Sequence, residues 1–313
     1  MQVVVIGGAG VLGQALLRAI VARGVLTRSD SVAAPVQRVI SVDRMQAPRL
    51  FVESRVEYVR ADARVPRLLQ TVMGTLTDSV FHAWDSGAAP GDSTPSFAMV
   101  DSLRDLLEAC HRQSSRPKVV LASSFAAYGG SGRPTDANHA LPPSQDGLTA
   151  LVGELLLEEA TRRGQVDGRA LRLPIIAGAP GCAAFLAELL RSLSEGQAAR
   201  CPIPTDATLW LTSAHNAAQA LLHAHELPAA ARGEDGVLNA PARSLSVGAL
   251  LQAVCGLTGR PIECPAVDQD PSLCEALAQR PHRVPIDSAL RLGFENGPDA
   301  ETIARDLLAP PYR

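Results

Sequence analysis

The first fourteen residues of the chain, MQVVVIGGAGVLGQ, constrain its fold more than any other stretch. Val3 to Ile6 form a short apolar run of β-branched residues, which is typical of a buried strand. Glycines then stand at Gly7, Gly10 and Gly13, and apolar residues recur at helical spacing over the following turns. The pattern predicts a strand, a tight glycine turn and an amphipathic helix.

Each glycine of this turn has a distinct physical use. Gly7 can adopt the positive φ of the turn, and Gly10 lets a pyrophosphate approach the backbone at the helix N-terminus. Gly13 lets the helix pack closely against the strand. Val11 and Leu12, which begin the helix, complete a predicted dinucleotide-binding turn.

A carboxylate follows the next strand-like run. Val39 to Val42 is apolar except for one serine and is followed by Asp43. In a dinucleotide-binding fold, a carboxylate at this place accepts both adenosine ribose hydroxyls and repels a 2′-phosphate, which favours NAD over NADP. The alternative is a surface aspartate that only ends a strand.

Composition excludes several classes of function. The chain has 313 residues, 46% apolar content and a formal charge of −3, so nothing in its electrostatics favours nucleic acid as a partner. No apolar run is long enough to span a bilayer, so we expect no membrane segment and a cytoplasmic protein. The six cysteines form no CxxC pair, and we expect no metal site.

Strands and helices alternate along the first half of the chain, which predicts an α/β fold with a Rossmann-type doubly wound parallel sheet and a smaller C-terminal substrate lobe. We assign residues 1–176 and 206–228 to the NAD-binding domain, and 177–205 and 229–313 to the lobe. One predicted helix has a buried face of Leu148, Leu151, Val152, Leu155 and Leu156, with Glu154, Glu158 and Glu159 on its outer side.

Over nearly its whole length, the chain resembles the extended short-chain dehydrogenase/reductase (NAD-dependent epimerase/dehydratase) family. The resemblance rests on GGAGVLG, on Asp43, on Asp62 after the third strand, on the VFHA strand that ends at Ala83, and on SSFAAYG from Ser123. Four later segments look especially like the D-erythronate dehydrogenase branch: 168–174, 201–202, 209–211 and 221–228. The resemblance implies NAD as cofactor, a small-molecule substrate and a homodimer formed by helices near 97–112 and 147–163.

The chain departs from this family at the residues that transfer protons. The family uses a Tyr-x-x-x-Lys pair, and by this resemblance the two positions hold Asp146 and Ala150. The only lysine in the chain is Lys118, so no Tyr-x-x-x-Lys exists anywhere in it. Met99 replaces the family's relay asparagine, and Trp84 and Asp85 stand where small residues are usual, whereas Ser124 is retained.

Three functions remain open at this point. The main hypothesis is non-redox proton transfer by Asp146 and Ser124, in an isomerisation, elimination, retro-aldol or cyclisation. The first alternative is an NAD-dependent oxidoreductase of a small hydroxy acid, because an ionised aspartate can still accept a proton from an alcohol. The second alternative is an inactive dinucleotide sensor or scaffold. Further catalytic candidates are His82, Asp85, His139 and His215, although for each histidine we favour a surface or strand-end role over catalysis.

Overall fold

A computed structural model describes residues 1–46, 51–65, 67–83, 97–128, 142–232, 236–261 and 264–309. In chain order the strands are β1 (Gln2–Ile6), β2 (Val25–Thr27), β3 (Ala33–Pro35), β4 (Arg38–Asp43), β5 (Val56–Arg60), β6 (Ser79–His82), β7 (Lys118–Ser124), β8 (Asp167–Leu173), β9 (Ile175–Ile176), β10 (Arg200–Cys201), β11 (Thr208–Thr212), β12 (Val237–Asn239), β13 (Arg243–Ser246) and β14 (Ala266–Val267). The helices are α1 (Val11–Arg23), α2 (Leu68–Met73), α3 (Ala98–His111), α4 (Gln145–Arg162), α5 (Ala184–Ser194), α6 (Ala214–Glu226), α7 (Val247–Thr258), α8 (Pro271–Ala278), α9 (Asp287–Arg291) and α10 (Ala300–Leu308).

Seven parallel strands form the central sheet, in the order β12-β8-β7-β6-β1-β4-β5. From β1 the chain runs outward through β4 and β5, and it then returns to the other side of β1 for β6, β7 and β8. The strand order therefore reverses between β1 and β6, and ligands of such sheets bind at the carboxyl ends next to this point. The predicted doubly wound α/β fold is confirmed.

Strand β1 shows why this segment lies at the centre of the sheet. Val3 and Val5 pack into a core with α1 and α6, whereas Val4 and Ile6 pack into a second core with α3 and α4. All four side chains are fully buried. A strand covered by helices on both faces has a continuous apolar sequence rather than an alternating one, which is the pattern that VVVI shows.

A third core joins the smaller sheets to the C-terminal helices. Strand β11 lies between β9 and β13 in a three-stranded sheet, β10 pairs with β14, and α5, α7 and α10 pack around them. Strand β12, from the predicted lobe, forms the edge of the main sheet, and β11, from the predicted NAD-binding domain, packs in this third core. The boundaries between the NAD-binding domain and the lobe remain a prediction from the sequence.

The predicted faces of α4 are wrong, because none of the five apolar residues of the predicted buried face is buried in the single chain. Glu154 is 4% exposed instead of lying on the outer side, and Leu155 is 60% exposed instead of buried. The buried face instead contains small residues such as Ala150 and Gly153, together with Leu157. A buried partner for Glu154, described below, compensates for the cost of burying its carboxylate. Within the described parts of the chain, no helix is long and apolar enough to cross a membrane.

Candidate functional site

The glycine turn has the geometry that its sequence predicts. Gly7 has a φ of +85°, and its N–H donates to Val42 O at 2.9 Å, which ties the end of β1 to β4. A Cβ on Gly13 would lie 2.1 Å from Gly7 O, so only glycine lets α1 come this close to the turn. These contacts fix the N-terminus of α1 at the carboxyl end of β1.

The N-terminus of α1 suits a pyrophosphate. Gly10 is its N-cap, no side chain caps it, and the first turn contains no acidic residue. Among the described residues, the atom nearest to a Cβ built on Gly10 would be Gly7 O, 3.5 Å away. The described residues therefore leave the space above Gly10 open to an anion, which the unsatisfied N–H groups and the helix dipole attract.

Two carboxylates lie after the neighbouring strands. Asp43 ends β4, and its Oδ2 and Oδ1 accept hydrogen bonds from the N–H groups of Ala9 and Met45, each at 2.9 Å. Its carboxylate is thus held directly beside the glycine turn. Asp62 follows β5 and pairs with Arg64, which holds the pKa of the Asp62 carboxyl below its usual range.

A cavity of about 220 Å³ brings together most of the other predicted residues. Leu12 and Ala83 line it from the glycine-turn side, and Ser124 and Asp146 line it from β7 and α4. Met99, Thr149 and Ala150 lie around the same space. Val11 instead lines a separate groove against α5 and α10, and neither Asp43 nor Asp62 is among the described residues of the cavity wall.

Ser124 is oriented as a hydrogen-bond donor. Its Oγ accepts the N–H of Ala126 at 3.1 Å, in the short 3₁₀ turn that follows β7. A hydroxyl has one proton to donate and two lone pairs to accept, so this contact leaves the Ser124 proton available to a ligand. Asp146, in the first turn of α4, has a half-exposed side chain, and its Oδ2 accepts from Arg280 Nη2 at 2.9 Å.

The lysine and two of the three tyrosines lie away from this cavity. Lys118 is at the opposite end of β7 from Ser124, and its Nζ donates to His225 O at 2.9 Å. The Tyr58 hydroxyl donates to Phe51 O, and the Tyr128 hydroxyl donates to Asn239 Oδ1. Neither of these tyrosines is part of the described cavity wall. Tyr312 lies outside the described residues.

Next to Ser124, the structure contains a buried polar cluster of Ser123, Glu154 and Arg172 that the sequence analysis did not predict. Glu154 accepts hydrogen bonds from Ser123 Oγ and, at 2.8 and 2.7 Å, from Nε and Nη2 of Arg172. The Arg172 guanidinium also stacks 4.3 Å from the centre of the Tyr128 ring. Arg172, near the end of the buried strand β8, could have revealed it, because a buried charge needs an opposite charge.

The two histidine candidates that the structure describes do not extend the site. His82 is fully buried, its Nε2 lies 3.2 Å from Ser102 Oγ, and burial lowers its pKa to about 4, which fits a neutral core side chain. His215 is exposed and lines the separate groove against α5 and α10. Trp84, Asp85 and His139 lie outside the described residues. Across the ranges that the structure describes, no three His, Cys, Asp or Glu side chains are grouped to hold a metal ion.

The comparisons with known proteins agree with this geometry. The NAD dependent epimerase/dehydratase family matches residues 3–239. D-erythronate dehydrogenase from Cupriavidus necator is 32% identical over 97% of both chains, and its namesake from Haemophilus influenzae is 26% identical over 98% of this chain and 99% of that one. The crystal structure of the nucleoside-diphosphate-sugar epimerase from Agrobacterium tumefaciens superposes with a TM-score of 0.82 at 26% identity, covering 97% of this chain and 92% of that one.

The fold and the glycine turn define a dinucleotide-binding protein of the Rossmann class. More particularly, the chain belongs to the NAD-dependent epimerase/dehydratase family of enzymes, and NAD is its cofactor. An enzyme of this family acts on a small molecule. The names of the relatives favour the oxidoreductase alternative over the non-redox chemistry that was the main hypothesis from the sequence.

Proposed function

We propose that this protein is an NAD-dependent oxidoreductase that oxidises a small hydroxy acid of the D-erythronate class. The main support for the proposal is a single cavity, whose wall contains Leu12, Ala83, Ser124, Asp146 and Arg280. It places a hydrogen-bond donor, a carboxylate and a cation beside the end of the glycine turn. The relatives named D-erythronate dehydrogenase support the same substrate class.

The size and the charge of the cavity suit such a substrate. At about 220 Å³ it is smaller than the roughly 300–1,000 Å³ of sites that enclose drug-sized ligands, which favours a four-carbon acid over a nucleotide sugar. The wall is mostly apolar, so its few polar groups fix the orientation of the ligand. Arg280 supplies a positive charge for an acid.

For the cofactor, we assign the pyrophosphate to the turn of Gly7, Gly10, Val11 and Leu12, and the adenosine ribose to Asp43. Asp62 would lie on the adenine side of the dinucleotide, and Ala83 would contact its nicotinamide half. The open space at Gly10 and the uncapped start of α1 support this assignment. NAD⁺ supplies the hydride acceptor when it is bound.

For the chemistry, we assign two roles to this chain's own side chains. Ser124 donates a hydrogen bond to the oxygen of the reacting carbinol, and Asp146 accepts the hydroxyl proton as that oxygen becomes a carbonyl. An aspartate is ionised at neutral pH, so it serves the oxidation direction as a base. Asp146 thereby takes over the proton transfer that the family assigns to tyrosine.

We also propose a homodimer that forms through α3 and α4. Leu148, Leu151, Val152 and Leu156 are partly exposed in the single chain, and Leu155 is 60% exposed. Apolar side chains at helical spacing on one exposed face mark a surface for another protein, and a second copy would cover it. The cytoplasmic location stays a prediction.

The experiment is a substrate screen with purified protein, followed by absorbance of the reduced nicotinamide. D-erythronate, its stereoisomer L-threonate and D-glycerate are each incubated with NAD⁺ or NADP⁺. We expect NADH to form with at least one acid, and we expect little NADPH because Asp43 repels a 2′-phosphate. Tight NAD⁺ binding without reduction by any hydroxy acid would refute the proposal and favour proton-transfer chemistry or a sensor.

A further inference from the structure

Arg280 and Asp146 are the charged pair of the cavity. Among the described residues of its wall, only these two carry a formal charge at neutral pH, because burial raises the pKa of the neighbouring Cys182 thiol. Arg280 follows α8 in the C-terminal region, 134 positions along the chain from Asp146. The ion pair therefore joins the first turn of α4 to a distant part of the fold across the cavity.

Arg280 forms fewer hydrogen bonds to its carboxylate partner than Arg172 forms to Glu154. Its side chain is only 15% exposed, but a single bond of 2.9 Å from Nη2 joins it to Asp146, whose side chain is 48% exposed. Its Nε is buried and has no hydrogen-bond partner among the residues that the structure describes. Arg172, by contrast, donates to both oxygens of Glu154, through Nε and Nη2.

Arg280 therefore lacks the second hydrogen bond that a guanidinium can form with a carboxylate. A guanidinium binds a carboxylate most strongly through two parallel N–H···O bonds, and a mostly buried cation with an unpaired N–H is costly. A substrate carboxylate that takes the place of Asp146 could accept two such bonds, whereas Asp146 accepts through one oxygen and is 48% exposed. The apolar wall strengthens a charge-assisted pair formed inside it.

We propose that Arg280 binds the carboxylate of the hydroxy acid and exchanges Asp146 for it. This inference rests on the proposed function and deepens it. In the free enzyme Asp146 pairs with Arg280, and the arriving carboxylate takes over the guanidinium. Asp146 is then free to accept the hydroxyl proton of the same substrate while the carbinol hydride passes to NAD⁺, the oxidant. The products are a keto acid, NADH and one proton.

The exchange predicts that replacing Arg280 and replacing Asp146 have opposite effects on the affinity for D-erythronate. Arg280→Gln removes the anchor and is expected to weaken D-erythronate binding by about 10- to 100-fold, the range for lost hydrogen bonds to charged groups. Asp146→Asn removes a competitor for Arg280, so D-erythronate is expected to bind about 2- to 5-fold more tightly although turnover is lost. Arg280→Lys, which keeps the charge but loses the planar fork, should lie between wild type and Arg280→Gln.

The test is titration calorimetry of D-erythronate and of erythritol, which lacks the carboxylate, against each variant in the presence of NADH, which cannot accept a hydride and so prevents turnover. Erythritol binding should be unchanged by Arg280→Gln. Arg200→Gln is the matched control, because Arg200 pairs with Asp268 on the exposed surface of the same region. Circular dichroism confirms that each variant is folded.

The outcomes separate this inference from the proposed function. Equal binding of D-erythronate by wild type and Arg280→Gln, or equal weakening by Asp146→Asn and Arg280→Gln, would overturn the exchange even where NADH is formed. Binding that follows the predicted order without NADH formation would refute the oxidoreductase and retain the anchor. If wild type binds neither D-erythronate nor its stereoisomer, both proposals fail.

Discussion

Replacing Glu154 by alanine tests the buried polar cluster behind Ser124. The Glu154 and Arg172 side chains are 3% and 8% exposed and share two short hydrogen bonds, so the pair is almost completely removed from water. Removing one member of a buried pair costs about 3–5 kcal/mol, because the remaining charge keeps its desolvation penalty.

We therefore expect Glu154→Ala to lower the free energy of unfolding by about 3–5 kcal/mol, a large part of the 5–15 kcal/mol that is typical of native proteins. Urea denaturation at neutral pH, followed by fluorescence of the buried Trp210, measures it. Glu159→Ala is the matched control on the same helix. Glu159 forms exposed ion pairs with Arg162 and Arg163, so its loss should change stability by less than about 1 kcal/mol.

A double replacement shows whether desolvation is the cause. Glu154→Leu combined with Arg172→Met removes both charges and keeps apolar volume, so it should be much less destabilising than Glu154→Ala. A loss below about 1 kcal/mol for Glu154→Ala, or a double variant as unstable as the single one, would refute the reasoning.

Three further predictions follow from the same structure. Gly13→Ala places a Cβ 2.1 Å from Gly7 O and should abolish NAD⁺ binding in a calorimetric titration, whereas Gly256→Ala, with open space around it, should bind NAD⁺ normally. Leu155→Glu, on the exposed face of α4, should convert the proposed homodimer to a monomer in analytical ultracentrifugation; a variant that remains dimeric would place the interface elsewhere. Burial acts to raise the pKa of Glu226, but hydrogen bonds, above all from His225, lower it to about 2 from its ordinary 4.5. Its stabilising effect is therefore complete above pH 4.5 and is lost as the pH falls toward 2, and acid unfolding followed by circular dichroism should be less steep in Glu226→Gln.

The sequence predicts the sheet and the cofactor turn because their causes are local. A β-branched run such as Val3 to Ile6, with glycines at fixed distances behind it, allows few other backbone paths. The structure places Gly7 at positive φ and packs Gly13 against the turn, as expected. The alternation of strands and helices likewise leads to a parallel sheet.

The candidate site could be predicted only in part. Ser124 and Asp146 follow from the resemblance to the family, which assigns catalytic roles to these two positions, and the structure places both in one cavity. Arg280 could not be found, because its pairing with Asp146 joins segments that are distant in sequence. Glu154 was wrongly placed on the surface, since apolar periodicity assigns charged residues outward and cannot reveal a buried partner on another strand.

The most direct test of the proposed function compares wild type with Asp146→Asn for two properties at once, NAD⁺ binding and D-erythronate-dependent formation of NADH. We expect equal NAD⁺ binding, because Asp146 lies in the substrate cavity and not in the glycine turn. We also expect NADH formation by wild type and a loss of about 100-fold or more in Asp146→Asn, the range for a missing general base. Undiminished NADH formation by Asp146→Asn would contradict the assignment of Asp146 as the base.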